Sequence, residues 1–394
     1  MNNSEQHEAI ELLENKTAYT QSELLALAQR DKNTKRKFLL VNRKQGKHLA
    51  AAPAEVLALF AQLGQIVQEK YGERRVAVIG FAETATAIGA AVAAQFTAPV
   101  LLLQTSREEL LEDNLVDFQE EHSHATEQKL YCTHQEQLLN AEVVLFVEDE
   151  VTTGNTIWNF IQALRQAHCV AAEVQFAVAS LVNSLTDELL DSFAVRGVCY
   201  HYLVRGCYHA ELDPYPHLTS ECAWQPPAIL AEQTRSVLWQ IGGKLESRCG
   251  IDSHAYQQAC LALSQELVER LMAAYGQLDG HILVLGSEEL MYPAIVAADV
   301  LQKQWPDSQV LTHATTRSPI KISQEAPYPI FNGCCLPSLY EAGRTTFVYN
   351  LCAYDWVIWL TDAENLQLAG VQALVQALEH FGCKKIIGVR WSHS

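Results

Sequence analysis

Paired cysteines are missing from this 394-residue chain. Its eleven cysteines are odd in number, form no Cys-x-x-Cys pair and stand singly apart from Cys334-Cys335, which argues against a secreted disulfide scaffold. Positive charge is scarce: 28 Lys and Arg face 46 Asp and Glu, for a net charge of −18. Nucleic-acid phosphates would be repelled everywhere except at a local basic patch, so no nucleic-acid partner is expected. Long apolar runs are lacking too. The richest, Ile88 to Leu103, is interrupted by Gln95 and Pro99 and does not read as a membrane span. The opening MNNSEQHEAIELLENK has neither the basic start nor the apolar core of a signal peptide, which points to a cytoplasmic protein. What is present, 49% apolar and 19% charged residues, describes a globular chain long enough for two domains.

Short apolar runs alternate with stretches of helical period, the pattern of an α/β protein with largely parallel sheets. Core strands are expected at Val76–Ile79, Val100–Leu103, Val143–Val147 and Val174–Val182. A second series is expected at Ile282–Leu285, Val310–Thr312, Trp356–Leu360 and Ile386–Val389. A Pro- and Tyr-rich stretch, Asp213 to Pro227, breaks this rhythm and sets expected domains at 25–230 and 231–394. The halves also align. Arg75–Ala93 lies over His281–Ala298 with Gly80 on Gly286, Thr105-Ser106-Arg107 matches Thr315-Thr316-Arg317, and Val143–Asp149 matches Trp356–Asp362. The ordered Gly, Arg and Asp suggest that the second domain is a degenerate copy of the first.

The sharpest chemical signal is VVLFVEDEVTTGNTIWNFIQAL, Val143 to Leu164. An apolar strand ends in Glu148 and Asp149. A loop of small hydroxyl residues and glycine then opens into an amphipathic helix whose Ile157, Phe160, Ile161 and Leu164 share a face. The helix start offers unpaired N–H groups to a phosphate, the threonines add donors, and Gly154 lets the backbone come close. The two carboxylates would repel that phosphate and suit a sugar's vicinal hydroxyls, or a Mg²⁺ bound to the sugar. An ordinary helix cap would explain one acid or one threonine, but hardly Glu-Asp followed by Thr-Thr-Gly.

VLFVEDEVTTGNT resembles the 5-phosphoribosyl-1-pyrophosphate (PRPP) motif of the type I phosphoribosyltransferases, with Glu150 where that family usually has an uncharged residue. The resemblance implies that Glu148 and Asp149 hold the ribose hydroxyls and Mg²⁺, and that Thr152, Thr153, Gly154, Asn155 and Thr156 hold the 5′-phosphate. Gly80, Phe81, Ala82, Glu83 and Thr84 occupy the place of the family's pyrophosphate loop. Arg107 and Lys47 match basic residues that contact pyrophosphate in the orotate branch. The polar stretch between Arg107 and Val143 would be a flexible lid, with His122 and His124 acting on the leaving pyrophosphate. A hood formed by His201–Trp224, with Tyr202, Tyr208 and Tyr215, would admit the acceptor.

Thr316-Arg317-Ser318-Pro319 matches the signature of the TRSP domain, which accompanies orotate-like phosphoribosyltransferase domains in proteins associated with bacterial tellurite-resistance and stress gene clusters. GFAETATAIG, EEHSHAT and GSEELMYP resemble the same family, so the resemblance runs over roughly residues 25–390. Two Rossmann-like open parallel-sheet domains are implied, the first with a hood and lid. The implied activity is transfer of the phosphoribosyl group from PRPP to a base-like acceptor with release of pyrophosphate; the alternative is a non-catalytic PRPP- or nucleotide-binding regulator. A homodimer is plausible by the same analogy. In the second half Thr361 replaces the first acid and Asn365-Leu366-Gln367 stands where the Thr-Thr-Gly loop should be, so no PRPP binding is expected there. Glu288, Glu289, Arg317 and Ser318 would form a second substrate site or, the reading we favour, maintain the domain interface.

Overall fold

A computed structural model describes residues 9–31, 37–112, 114–119, 127–208, 214–227 and 237–393. The first part of the chain carries strands β1 (Ile10–Asn15), β2 (Leu25–Gln29), β3 (Phe38–Asn42), β4 (Val76–Gly80) and β5 (Leu101–Gln104). It continues with β6 (Asn114–Gln119), β7 (Glu127–Tyr131), β8 (Val143–Val151), β9 (Gln175–Asn183) and β10 (Val198–Tyr208). The second part carries β11 (Val237–Ile241), β12 (Ile251–Asp252), β13 (His281–Gly286), β14 (Gln309–Ala314), β15 (Gly333–Pro337), β16 (Thr345–Tyr349), β17 (Trp356–Thr361) and β18 (Lys385–Trp391).

Two sheets organise them. The first runs β1-β10-β9-β8-β4-β5-β12. Its five inner strands are parallel, and antiparallel β1 and β12 cover its edges. The second runs β11-β18-β17-β13-β14 and is parallel throughout. Strands buried on both faces read as unbroken apolar runs, which is why the expected core strands lie within or beside observed ones. Helices pack on these sheets; in Asn155–Gln166 the anticipated stripe Ile157, Phe160, Ile161 and Leu164 is the buried face.

The duplication extends to individual backbone hydrogen bonds. Phe81 N donates to Val147 O at 3.1 Å, as Ser287 N does to Leu360 O at 3.0 Å. Thr105 N donates to Gly80 O at 3.0 Å, as Thr315 N does to Gly286 O at 2.9 Å. Ala82 N reaches Thr105 Oγ1 at 2.8 Å, and Glu288 N reaches Thr315 Oγ1 at 2.9 Å. Both glycines are sterically required, because an added Cβ would lie 2.8 Å from Ala85 O at position 80 and 2.4 Å from Leu290 O at position 286. The copies differ at the outer strand. It follows the core of the first domain as β10 and precedes that of the second as β11, so the order is permuted.

Two expectations are adjusted. The lid region carries an antiparallel hairpin, β6–β7, whose inward residues Val116, Phe118, Gln128 and Leu130 are buried. Phe118 stacks on Phe160 with ring centroids 4.0 Å apart, so this hairpin is anchored in the core. His122 and His124 lie outside the described residues. Within the expected hood, His201 and Tyr202 belong to β10, where sheet pairing with β9 claims the backbone; Tyr202 donates to Glu14 Oε2 at 2.9 Å. Tyr208 ends that strand, whereas Tyr215 is buried against Tyr328 of the second domain. The expected boundary at 230/231 lies outside the described residues.

Candidate functional site

β8 runs past its apolar core, so Glu148, Asp149 and Glu150 continue the strand, half-buried, with Glu148 opposite Ser180 of β9. The chain then turns through Thr152 and Thr153 into Gly154, the N-cap of the helix Asn155–Gln166, at φ 72° and ψ 0°. Glycine is demanded twice there. The left-handed backbone disfavours a side chain, and a Cβ would lie 2.7 Å from the Phe193 ring and 2.9 Å from the Tyr200 hydroxyl. Thr153 Oγ1 accepts from Asn155 N at 3.3 Å. Asn155 is exposed and Thr152, Thr153 and Thr156 are half-buried, so the turn and first helical residues reach solvent beside the two acids.

The loop after β4 starts alongside, because Gly80 pairs with Val147, the residue before Glu148. Its members separate by role. Phe81 is core, packed edge-on against Phe118 and Phe160. Ala82 is tied by its backbone: its N–H donates to Thr105 Oγ1, and its carbonyl accepts from Gln128 Nε2 at 3.0 Å. Thr84, half-buried, caps the following helix without a side-chain bond, and the Ala82–Glu83 peptide is cis.

Glu83 turns inward to meet Lys47, and the two form a buried ion pair. Lys47 is fully buried and also donates to Thr315 O at 2.9 Å and Glu288 O at 3.2 Å, both in the second domain. Burial alone would push the Glu83 carboxyl up, but Lys47, Arg317 and Arg107 hold it down at about 2. Arg107 follows β5, and its backbone N–H donates to Glu289 Oε1 at 3.1 Å. Thus Lys47, Glu83 and Arg107 come together at one sheet edge, with the Glu148–Thr156 segment beginning at the neighbouring strand end.

Sequence reasoning did not see how far the second domain enters this edge. Arg317 Nε binds Glu288 Oε2 at 2.6 Å, and its guanidinium also meets Glu108, Glu83 and Glu289. Arg344 bridges Glu108 and Glu288 at 2.5 and 3.2 Å. Ser106 Oγ donates to Glu289 Oε2 at 2.8 Å, and Thr86 Oγ1 to Glu289 O at 3.0 Å. Glu288, Glu289 and Arg317 therefore lie in the domain interface, with the carboxyl ends of the two sheets face to face. The Thr-Arg-Ser-Pro string was the available signal for Arg317; nothing local marked Glu108 or Arg344.

The second copy's own crevice is filled. Asp362, at the place of Asp149, takes Lys244 Nζ at 2.9 Å and Arg248 Nη2 at 2.5 Å, and accepts from Tyr340 OH at 2.6 Å. The cavity left among these residues measures about 10 Å³, room for about one water. Gln367, where a phosphate cradle would need its glycine, is an extended N-cap at φ −78° with no side-chain cap bond.

Mg²⁺ has a limited donor set. Among the described residues no group of three or more His, Cys, Asp and Glu could hold a metal ion. Two adjacent carboxylates at a strand end fit an ion that arrives with a phosphorylated substrate, since Mg²⁺ commonly keeps its waters and takes one or two protein carboxylates. No helix among the described residues is long and apolar enough to cross a membrane.

Comparison with known proteins gives two family matches. Residues 24–198 match the model described as phosphoribosyl transferase, and residues 246–378 match the TRSP domain found C-terminal to it. A search of curated proteins finds no match. Similar solved structures include adenine phosphoribosyltransferase from Rhodothermus marinus, at 14% identity over 52% of this chain and 99% of that one, with a TM-score of 0.31. The Trypanosoma brucei adenine enzyme, in complex with AMP, pyrophosphate and ribose-5-phosphate, is 13% identical over 51% and 86%, TM-score 0.35. Orotate phosphoribosyltransferase from Mycobacterium tuberculosis, in complex with Fe(III) dicitrate, is 15% identical over 45% and 89%, TM-score 0.29.

Proposed function

The chain belongs to the family that joins a phosphoribosyl transferase domain to a C-terminal TRSP domain, and from that premise we propose that its first domain transfers the 5-phosphoribosyl group of PRPP to a base-like acceptor, releasing pyrophosphate. The observation that carries this reading is the junction at β8, where Glu148 and Asp149 precede the left-handed Gly154 turn and the exposed start of a helix. In this reading the two carboxylates take the ribose hydroxyls and any Mg²⁺ the substrate brings. Thr152, Thr153, Gly154, Asn155 and Thr156 take the 5′-phosphate. The Gly80–Thr84 loop, with Arg107 nearby, faces the pyrophosphate.

As pyrophosphate departs, positive charge develops on the ribose ring and negative charge on the leaving group. Bound Mg²⁺ would supply neutralisation of that leaving group. The chain's own part is positioning and fixed electrostatics. The backbone at Gly154 admits the phosphate, the carboxylates orient the ring beneath its reacting carbon, and Arg107 adds a cation at the adjoining edge.

A second reading, a PRPP- or nucleotide-binding regulator without transfer, is favoured by one observation. Lys47, expected to meet pyrophosphate, is fully buried and engaged by Glu83, Thr315 O and Glu288 O. Calorimetric titration of PRPP with Mg²⁺, against ribose 5-phosphate, tests the site. Binding is expected to need both Mg²⁺ and the pyrophosphate group, and to weaken by about 100-fold or more in the E148A/D149A variant while its melting temperature is retained. Binding that survives this substitution, or no binding to the wild type, would overturn the assignment. Pyrophosphate release on acceptor screening separates enzyme from regulator.

A further inference from the structure

A groove of about 360 Å³ lies on the interface beyond the residues discussed so far. Arg43 and Leu49, the ends of the turn after β3, form one wall. Glu325, Tyr328, Phe331 and Asn350 of the second domain are among those forming the other. This volume is that of a small-molecule site.

One polar group of the lining, Arg43, is not fully paired. Arg43 is half-buried, and its Nε has no hydrogen-bond partner among the described residues. A guanidinium keeps its charge, so a buried N–H left unpaired is costly unless a ligand or water takes it. A guanidinium only donates, so an oxyanion is the complementary group.

The opposite wall sets Phe331, Tyr328 and two prolines among polar side chains and is held in place. Phe331 is 45% exposed, unlike most aromatic residues of this chain. Tyr328 OH donates to Lys321 O at 2.9 Å and accepts from Gln29 N at 3.0 Å, fixing the loop that carries Pro327 and Pro329. Glu325 accepts from Thr219 N at 3.1 Å.

We propose that this groove binds a small molecule with a flat aromatic body bearing a single carboxylate or phosphate, Arg43 gripping the oxyanion and Phe331 covering the ring. The planar fork of arginine matches either group. The proposal does not depend on the transferase reading.

Benzoate and phenyl phosphate, titrated calorimetrically into the full chain, test it and separate the two anion types. One of them is expected to bind the wild type, to weaken about tenfold or more in R43Q and several-fold in F331A. Affinity is expected to be unchanged in E148A/D149A. Because Phe331 is exposed, F331A keeps the test usable if R43Q fails to fold. The proposal is overturned if neither compound binds, if the folded variants bind as the wild type does, or if E148A/D149A loses the affinity that R43Q keeps.

Discussion

The two crevices of this chain share one backbone frame and have opposite contents. In the first, Glu148 and Asp149 end a strand before a left-handed glycine and a solvent-reaching helix start. In the second, the matching acid Asp362 is consumed by Lys244 and Arg248, two cations from the segment between β11 and β12. The helix after it begins at an ordinary extended residue. The hydrogen bonds that build the frame are duplicated, yet the loop residues decide whether the crevice reaches solvent or is filled by its own chain. Fold and site are separable properties here.

The comparison breaks most sharply at Asp362. Asp362→Ala would leave the buried Lys244 and Arg248 with Glu246 as the remaining carboxylate they share, at an expected cost of about 3 kcal/mol in urea unfolding. PRPP affinity of the folded fraction should stay unchanged; a loss comparable to that of E148A/D149A would mean that the second crevice is also a ligand site. Gly154→Ala sharpens the contrast from the other side. Its left-handed backbone and the approach of Phe193 predict a loss of about 1–3 kcal/mol in stability, accompanied by weaker PRPP binding. Stability lost without any change in affinity would remove the cradle assignment.

A smaller effect tests the ground that the copies share. His48 of the first domain and His313 of the second are both buried, and burial holds their imidazoles down, at about 3 and about 4. The unfolded chain takes up these protons near pH 6.5, so the unfolded state binds more protons below that value. Stability should therefore be full above about pH 6.5 and fall as pH drops towards 4. Each histidine should cost on the order of 1–2 kcal/mol at pH 5. His48→Asn should flatten the pH dependence of the urea midpoint between pH 7 and 5, and an unchanged slope would refute the role given to this imidazole.

Legibility followed the physics of each element. Strands such as Val76–Gly80 and Trp356–Thr361 are buried throughout and so announce themselves as apolar runs. The β6–β7 hairpin was hidden because its inward face includes a polar residue, Gln128, whose amide is spent on Thr105 and Ala82. The strand-to-helix junction at Glu148–Thr156 could be read because its residues are contiguous. The interface network could not: Lys47 reaches a carbonyl 241 positions away, and Ser106 a carboxylate 183 away. No local pattern encodes such pairs, and Lys47, expected to meet pyrophosphate, is enclosed by the second domain.

Residues Ile251 and Asp252, which open the second domain's long helix, also form the edge strand β12 against Leu101 and Leu102. This pairing bears on how the chain is made. During synthesis the family-matched segment 24–198 emerges well before residue 252, so the β5 edge waits with open N–H and C=O groups while later residues are translated. In that interval the nascent chain carries a template for pairing with other strands. The domain that begins to fold first is completed only by a piece of the domain that follows it.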